Sequence, residues 1–528
     1  MVSAAAILAT WGWLGMPVQM PPAPLAAAEK LYCLSYAPFR AGQSPLDESS
    51  RIAPEQIDED LRRLAGATGC VRTYGTDLGQ DRVPEIARRH GLKVLQGLWL
   101  SNNAEKNQGQ IQAAVELAKQ YPDVIEAIVV GNEVLLRGDM AATDLARTIE
   151  AVKAQVRVPV TYADVWEFWL RHREIVGAVD FVTIHILPYW EDLPISAQHA
   201  AAHVTDMRSK VAAAFPGKEI LIGETGWPSA GRMREGAWPS PVNQARVIHD
   251  VLAAARRENF RVNLIEAFDQ PWKRYLEGTV GGHWGLFDAY RREMKFAWGE
   301  AVSNHPHWQW QAAGGMALAF LTFAAAFAVG RRSSASAVTE RRKWIGVAAI
   351  ALVPGILAGW TVENVLVESL GAGGWLRGLA LAAICIAAPL LAAAALAAGV
   401  ALPSFAQVLG DSEHRAREVL PWALGAVLIA VAVLALQLAL ALVFDPRYRD
   451  FAFAPLTAAV VPYAVLALND TRSGGARGNA EIVFACALLG CAAYIVANEG
   501  LSNWQALWFG TALVVLALTL LRARGAPG

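Results

Sequence analysis

The sequence is short of charge, of paired cysteine motifs and of any basic excess. Charged residues make up only 18% of its 528 residues, while hydrophobic ones make up 54%. Soluble domains usually carry about 25% charged residues, so part of this chain must sit in another solvent. The formal net charge of −1 supplies no field that would draw nucleic acid or acidic lipid, and no nucleic-acid partner is expected. Cys33, Cys70, Cys385, Cys486 and Cys491 contain no Cys-x-x-Cys pair, which excludes zinc ribbons and thioredoxin-type motifs. Cys385, Cys486 and Cys491 fall in apolar runs and read as small packing residues. Cys33 and Cys70 open two neighbouring predicted strands. Two buried thiols are expected there, with a disulfide the alternative in an oxidising compartment.

Lysine is absent after Lys343. From Trp310 onward the chain is rich in Ala, Leu and Val, in runs of roughly 18–25 residues, enough to cross about 30 Å of hydrocarbon. Seven spans are expected, near 310–330, 344–362, 376–400, 421–443, 451–468, 480–498 and 504–521. The first loop between them holds Arg331, Arg332, Arg341, Arg342 and Lys343; the third Arg415 and Arg417; the fifth Arg472 and Arg477; the tail Arg522 and Arg524. The intervening loops hold little beyond Arg377, Arg447 and Arg449. Basic loops stay in the cytoplasm, so the region before Trp310 is expected on the other side, with membrane lipid as a partner of the spans.

No charged side chain occurs from Val2 to Ala28, so the basic start of a secretory signal is missing. An apolar stretch, Ala4 to Val18, precedes Pro21, Pro22 and Pro24. An uncleaved anchor is expected, ahead of a signal cut near Ala26-Ala27-Ala28 or a segment whose start lies upstream. The resulting division is a signal or anchor segment at 1–28, a globular domain at 29–306 and a membrane domain at 307–528.

Within 29–306, eight apolar, β-rich runs recur: Leu31–Pro38, Cys70–Tyr74, Lys93–Trp99, Ile125–Glu133, Val158–Val165, Asp180–Tyr189, Glu219–Trp227 and Asn263–Trp272. Helical spacing separates them; Ile57, Leu61 and Leu64 fall on one face of a helix that Pro54 opens. Strands alternating with helices imply a parallel sheet, and eight such units in this length predict a (β/α)8 TIM barrel. An open doubly wound sheet is the alternative, but no Gly-rich phosphate loop follows the first run.

Chemistry in such barrels sits at the C-terminal ends of the strands. The fourth run ends Gly131-Asn132-Glu133 and the seventh Gly223-Glu224-Thr225-Gly226-Trp227-Pro228. A carboxylate ending a buried apolar strand is costly unless paired or used. Two of them across the barrel mouth suit glycoside hydrolysis, in which one carboxylate attacks and the other, with a raised pKa, gives and takes a proton. The competing reading is that they pair with Arg72 or Lys273 merely to hold the barrel together. Trp99, Trp166, Trp169, Tyr189, Trp190, Trp227, Trp238, Trp272 and Trp284 lie near strand ends and would pack against the C–H faces of sugar rings.

These motifs resemble glycoside hydrolase family 17, the β-1,3-glucanases and β-1,3-glucanosyltransferases. The resemblance covers about residues 30–300 and rests on Gly223-Glu224-Thr225-Gly226-Trp227-Pro228-Ser229, on Val130-Gly131-Asn132-Glu133-Val134 and on Arg72-Thr73-Tyr74-Gly75. Ala267-Phe268-Asp269-Gln270-Pro271-Trp272-Lys273 and His283-Trp284-Gly285-Leu286-Phe287 resemble its closing segments. The resemblance implies Glu224 as nucleophile, Glu133 as acid/base and Asn132 on the sugar 2-hydroxyl. It implies Arg72, Tyr74, His185, Tyr189, Trp227, Phe268, Asp269, Trp272 and Lys273 as substrate-binding residues, with neither metal nor cofactor. The chain departs from the plant pattern at His185-Ile186-Leu187-Pro188-Tyr189 and at Phe268-Asp269-Gln270, so subsite specificity is open. His185 is expected to hydrogen-bond substrate or Glu224, or to serve as a structural histidine.

With its membrane tail the chain also resembles bacterial proteins known as β-(1→6)-glucan synthases. That resemblance implies transglycosylation on periplasmic β-1,3/1,6-glucan, with a glucan synthase as partner. The alternatives are an endo-β-1,3-glucanase and a non-catalytic glucan-binding scaffold or transport component. The spans are expected to anchor the chain or dock a partner rather than pass glucan. Glu363, Glu481 and Glu499 are expected at hydrated span ends.

Overall fold

The computed structural model describes every residue except 27, 331–336, 411–418, 471–478 and 523–528. Arg331, Arg332, Arg415, Arg417, Arg472, Arg477 and Arg524, which carry much of the orientation reading, lie outside the described residues. The chain forms two compact units. One comprises Val18–Ala230 and Gly236–Val302; the other comprises Met1–Pro17, Gly231–Glu235 and Ser303–Gly528.

The first unit is a closed parallel barrel of eight strands. In chain order these are β1 (Cys33–Ser35), β2 (Cys70–Arg72), β3 (Lys93–Leu98), β4 (Ile125–Asn132), β5 (Val160–Val165), β6 (Val182–His185), β7 (Ile220–Thr225) and β8 (Val262–Leu264). They are shorter than the apolar runs, because the residues beyond each ladder turn outward to build the rim. The helices form as their spacing dictates. Pro54–Leu64 starts with proline in its first turn, carries Glu55 there and Arg62 and Arg63 in its last turn, and buries Ile57, Leu61 and Leu64. That arrangement matches both the backbone constraint of proline and the helix dipole.

Side chains alternate across each strand, and one buried cluster, Cys33, Cys70, Leu95, Ala127, Val129, Ala163, Phe181 and Leu221, is separate from the larger strand–helix core. Cys33 and Cys70 are joined in a disulfide, which corrects the expectation of two free thiols. The parallel register pairs Leu34 with Val71, so the residues preceding them meet side by side. Val18–Gln19 pairs antiparallel with Ala301–Val302, tying the two ends of this unit together.

The second unit is helical. Among the described residues, helices occur at all seven expected places. Six of them are long and apolar enough to cross a membrane: Trp308–Gly330, Glu340–Glu368, Gly371–Ala398, Val419–Phe444, Asn479–Glu499 and Trp504–Arg522. The seventh, Phe453–Asn469, has 17 residues with Pro462 inside it and falls short of that length. Val2–Leu14 is a short apolar helix whose Trp11 indole donates to the Ile356 carbonyl at 3.1 Å. The acidic residues differ from expectation. Glu481 and Glu499 are buried because each has a partner: Glu481 accepts from the Phe405 amide at 2.6 Å, and Glu499 is paired with Arg232. Glu363 accepts from Gln311 at 3.1 Å and lies 3.0 Å from His305 Nδ1.

Candidate active site

Five strands bring the site together at their C-terminal ends. Arg72 ends β2, Asn132 ends β4 with Glu133 just beyond it, His185 ends β6, and Glu224 is the penultimate residue of β7. Asp164 occupies the corresponding position on β5. The period-2 alternation that buries a cysteine at the start of β2 aims Arg72 inward two residues later. Register shifts at Ile184/His185 and Val129/Asn132 re-aim the strand ends beside these residues. A Cβ at Gly223 would lie 2.4 Å from the Thr183 methyl, so glycine here lets β6 and β7 pack closely beside His185, whose ring would be 3.3 Å away. Gly131 and Glu133 both take positive φ, 86° and 53°; glycine adopts this freely and glutamate does not.

One oxygen each of Glu133 and Glu224 and one ring nitrogen of His185 lie within 4.8 Å of one another. His185 Nδ1 is 2.8 Å from Glu133 Oε1, while its Nε2 is 3.6 Å from Glu224 Oε1 and 3.2 Å from Arg72 Nη1. A guanidinium only donates, so Nε2 is the acceptor and the ring proton sits on Nδ1, where it is donated to Glu133. His185 therefore bonds the opposite carboxylate from the one named in the sequence reading.

Arg72 is a hub. Its Nη1 donates to Glu224 Oε1 at 3.0 Å and to the Gly223 carbonyl at 2.8 Å, and its Nη2 donates to Asn132 Oδ1 at 2.6 Å. The Tyr74 hydroxyl bridges Glu224 Oε1 and Ser35 Oγ, both at 2.8 Å. A carboxylate only accepts, so the Tyr74 proton goes to Glu224 and the Ser35 proton to Tyr74. Burial, followed by the charge of Glu224, pushes the Tyr74 phenol well up. Burial alone would also raise Glu133. The hydrogen bond that His185 donates, with the charges of Arg137 and Arg72, outweighs it and holds Glu133 below the ordinary carboxylate range. This departs from the raised pKa expected for an acid.

The remaining expected residues divide into two groups. Lys273 donates to Glu266 Oε1 at 2.7 Å, and Trp272 donates to Gln270 at 2.8 Å. Tyr189 and Trp227 are fully buried and meet edge to face at 6.1 Å, with Trp284 equally near Tyr189. Phe268 is buried under the Arg292 guanidinium, 3.5 Å above its ring, and Asp269 accepts from Lys295 at 2.6 Å and from the Gly285 amide at 2.8 Å. These four side chains build the wall of the site rather than its open face. Trp99 is different: it is exposed, with Arg137 stacked 4.2 Å over its ring.

Sequence reasoning did not single out Glu266, Asp164, Tyr162, Ser35 or Asn263. Glu266 is buried, and that burial, opposed by Lys273, raises its carboxyl to about 7. It stands one residue before the Ala267–Lys273 motif and marks the same strand end as Glu133 and Glu224 do on theirs. Asn263 donates to Ser35 Oγ at 2.8 Å and to the Gly223 carbonyl at 2.6 Å, a contact visible only once β1, β7 and β8 are closed into a ring.

A closed parallel barrel with carboxylates at the C-terminal ends of its strands is an arrangement on which glycosidases are built. Residues 33–285 match the BtgE/BtgC glycoside hydrolase domain. The chain is 28% identical over 264 residues to "Probable beta-glucosidase btgE" of Aspergillus fumigatus, covering 49% of this chain and 45% of that protein. It is 27% identical over 256 residues to "Glucan 1,3-beta-glucosidase" of Arthroderma benhamiae, covering 44% of this chain and 81% of that one. Among solved structures it is similar to the family 17 β-1,3-glucanosyltransferase of Rhizomucor miehei, at 26% identity and a TM-score of 0.46, over 52% of this chain and 99% of that one. The chain thus spans about half the length of the first of these curated relatives. The barrel is similar in sequence to glycoside hydrolase domains.

Proposed function

We propose that this chain is a membrane-held, retaining enzyme acting on β-1,3-glucan, and that its main reaction is glycosyl transfer. The observation that carries the reading is the separation of the two carboxylates. Glu133 and Glu224 present oxygens within 4.8 Å of one another. That suits the roughly 5–5.5 Å of a retaining pair and leaves no room for the water that holds inverting pairs about 6.5–9.5 Å apart.

Glu224 attacks the anomeric carbon while Glu133 protonates the departing glycosidic oxygen. Arg72 and Tyr74 hold the attacking carboxylate in place, and Asn132, fixed by Arg72, faces the sugar 2-hydroxyl. A sugar hydroxyl then replaces Glu224 at the anomeric carbon, giving its proton to Glu133. Substrate seated over Glu133 shields it from water and raises its proton affinity toward what the acid step needs. The names of the relatives support a β-glucan substrate. The Cys33–Cys70 disulfide supports a barrel exposed to an oxidising, extracytoplasmic compartment, as does the basic-loop pattern. The division into a 1–28 anchor, a 29–306 catalytic domain and a 307–528 membrane domain, and docking of a glucan synthase, belong to the same proposal.

The test uses the full chain in detergent with a reducing-end-labelled laminari-oligosaccharide, resolving products by size and linkage. Products longer than the donor, absent in Glu224→Gln, are expected. Shorter products alone would make the chain a hydrolase, and no products from folded protein would favour a binding scaffold.

A further inference from the structure

Glu133 opens a hydrogen-bonded turn: the Arg137 amide donates to the Glu133 carbonyl at 2.9 Å, and the Asp139 amide to the Val134 carbonyl at 3.0 Å. The start of that turn is held from the next strand. Asp164 of β5, fully buried, accepts at Oδ2 from the Leu135 amide at 3.3 Å and the Leu136 amide at 3.4 Å, and at Oδ1 from its neighbour Val165 at 2.7 Å. The Leu135 amide also donates to the Tyr162 hydroxyl at 3.0 Å, and Tyr162 in turn donates to Asp164. The Leu135 and Leu136 amides of this turn have no carbonyl partner within it, so a carboxylate that accepts from them satisfies them. Arg137 bonds the Asn132 and Leu100 carbonyls from the far end of the turn. The motif-bearing residues thus rest on a Tyr162–Asp164 pair that touches none of the proposed reacting atoms.

We infer that Asp164, with Tyr162, is the positioning residue of Glu133, aiming it at Glu224 and supplying a second negative group that biases Glu133 toward carrying a proton. The inference rests on the acid/base reading of Glu133. The charged groups facing Glu133 are His185 on β6, Arg72 on β2, Arg137 on its own turn, Glu224 on β7 and Asp164 on β5. Three of these are cationic or donate to it and favour its ionised form. Asp164 opposes them: burial raises its carboxyl to about 6, the charge of Glu133 adds to that rise, and Tyr162 restrains it. The coupling is mutual, so an ionised Asp164 raises Glu133 as well.

The experiment measures kcat and KM on laminarin against pH for the full chain in detergent, with folding checked by circular dichroism. Asp164→Asn keeps an acceptor for the Leu135 and Leu136 amides but loses the charge. Its alkaline limb, which reports loss of the acid's proton, is expected to move to lower pH by about half to one unit, with kcat at the optimum within about tenfold of the original. Asp164→Ala also loses the acceptor and should lose about a hundredfold in kcat with little change in KM. Tyr162→Phe keeps the charge and should lower kcat without an acid shift. An unmoved alkaline limb in Asp164→Asn overturns the inference. If that variant does not fold, unchanged kcat in Tyr162→Phe does so. Glu133→Gln separates the two levels: inactive, it leaves the acid/base reading standing whatever Asp164 does; fully active, it sinks both.

Discussion

Arg72 and Cys70 lie two residues apart on one strand and face the inside of the same barrel, yet their surroundings share almost nothing. At the start of the strands the interior is closed by the Cys33–Cys70 disulfide and by Leu95, Ala127, Val129, Ala163 and Leu221. At the finish it holds Arg72, His185, Glu224 and Asp164, all buried, in a network of hydrogen bonds. The lower end needs only close packing, which most apolar residues of suitable size satisfy. The upper end keeps charges out of water, and each stays only because a specific neighbour answers it. One barrel therefore contains an end that tolerates change in energy but gains nothing chemically, and an end where every substitution leaves an orphan.

Four measurements would break or sharpen that contrast. Glu224→Gln at the upper end should cost at least about a thousandfold in turnover, read from labelled oligosaccharide, while thermal unfolding changes little. Arg72→Met strands Glu224 without its buried cation and should destabilise the fold by about 3–5 kcal/mol as well as removing activity; denaturant unfolding of the purified chain measures it. The double replacement Cys33→Ser, Cys70→Ser at the lower end should cost roughly 2–4 kcal/mol and leave kcat unchanged at a temperature where the protein stays folded. A fall in kcat would mean the two ends are not independent. The smallest effect concerns Glu266, whose carboxyl is raised by burial to about 7 from an ordinary 4.5. The folded state then holds its proton more tightly than the unfolded one, so stability falls as pH rises from the ordinary value through the raised one. Glu266→Gln should flatten the fall by about 1–2 kcal/mol, seen as a weaker dependence of Tm on pH.

The barrel and the helical segment were legible because both depend on pattern. Alternation of apolar runs with helical spacing specifies a parallel barrel, and run length specifies a span. Glu133 and Glu224 were legible for a different reason, as polar interruptions at the ends of apolar strands. What escaped depends on closure. Asp164 reads as one acid in Thr161-Tyr162-Ala163-Asp164-Val165 until β5 is laid beside β4. The disulfide required the parallel register of β1 and β2. The aromatics near strand ends misled in part. Tyr189 and Trp227 are spent on one another in the wall, and only side-chain packing distinguishes them from the exposed Trp99.

The backbone at Glu133 holds a last consequence. Its φ of +53° is one that asparagine and glycine occupy readily and glutamate resists, by roughly 1–2 kcal/mol. Selection for stability alone would favour replacing that glutamate. Its presence is a debt the rest of the molecule carries. A heat-resistance selection run without substrate should therefore favour glycine or asparagine at position 133, the residue proposed to carry the acid/base step.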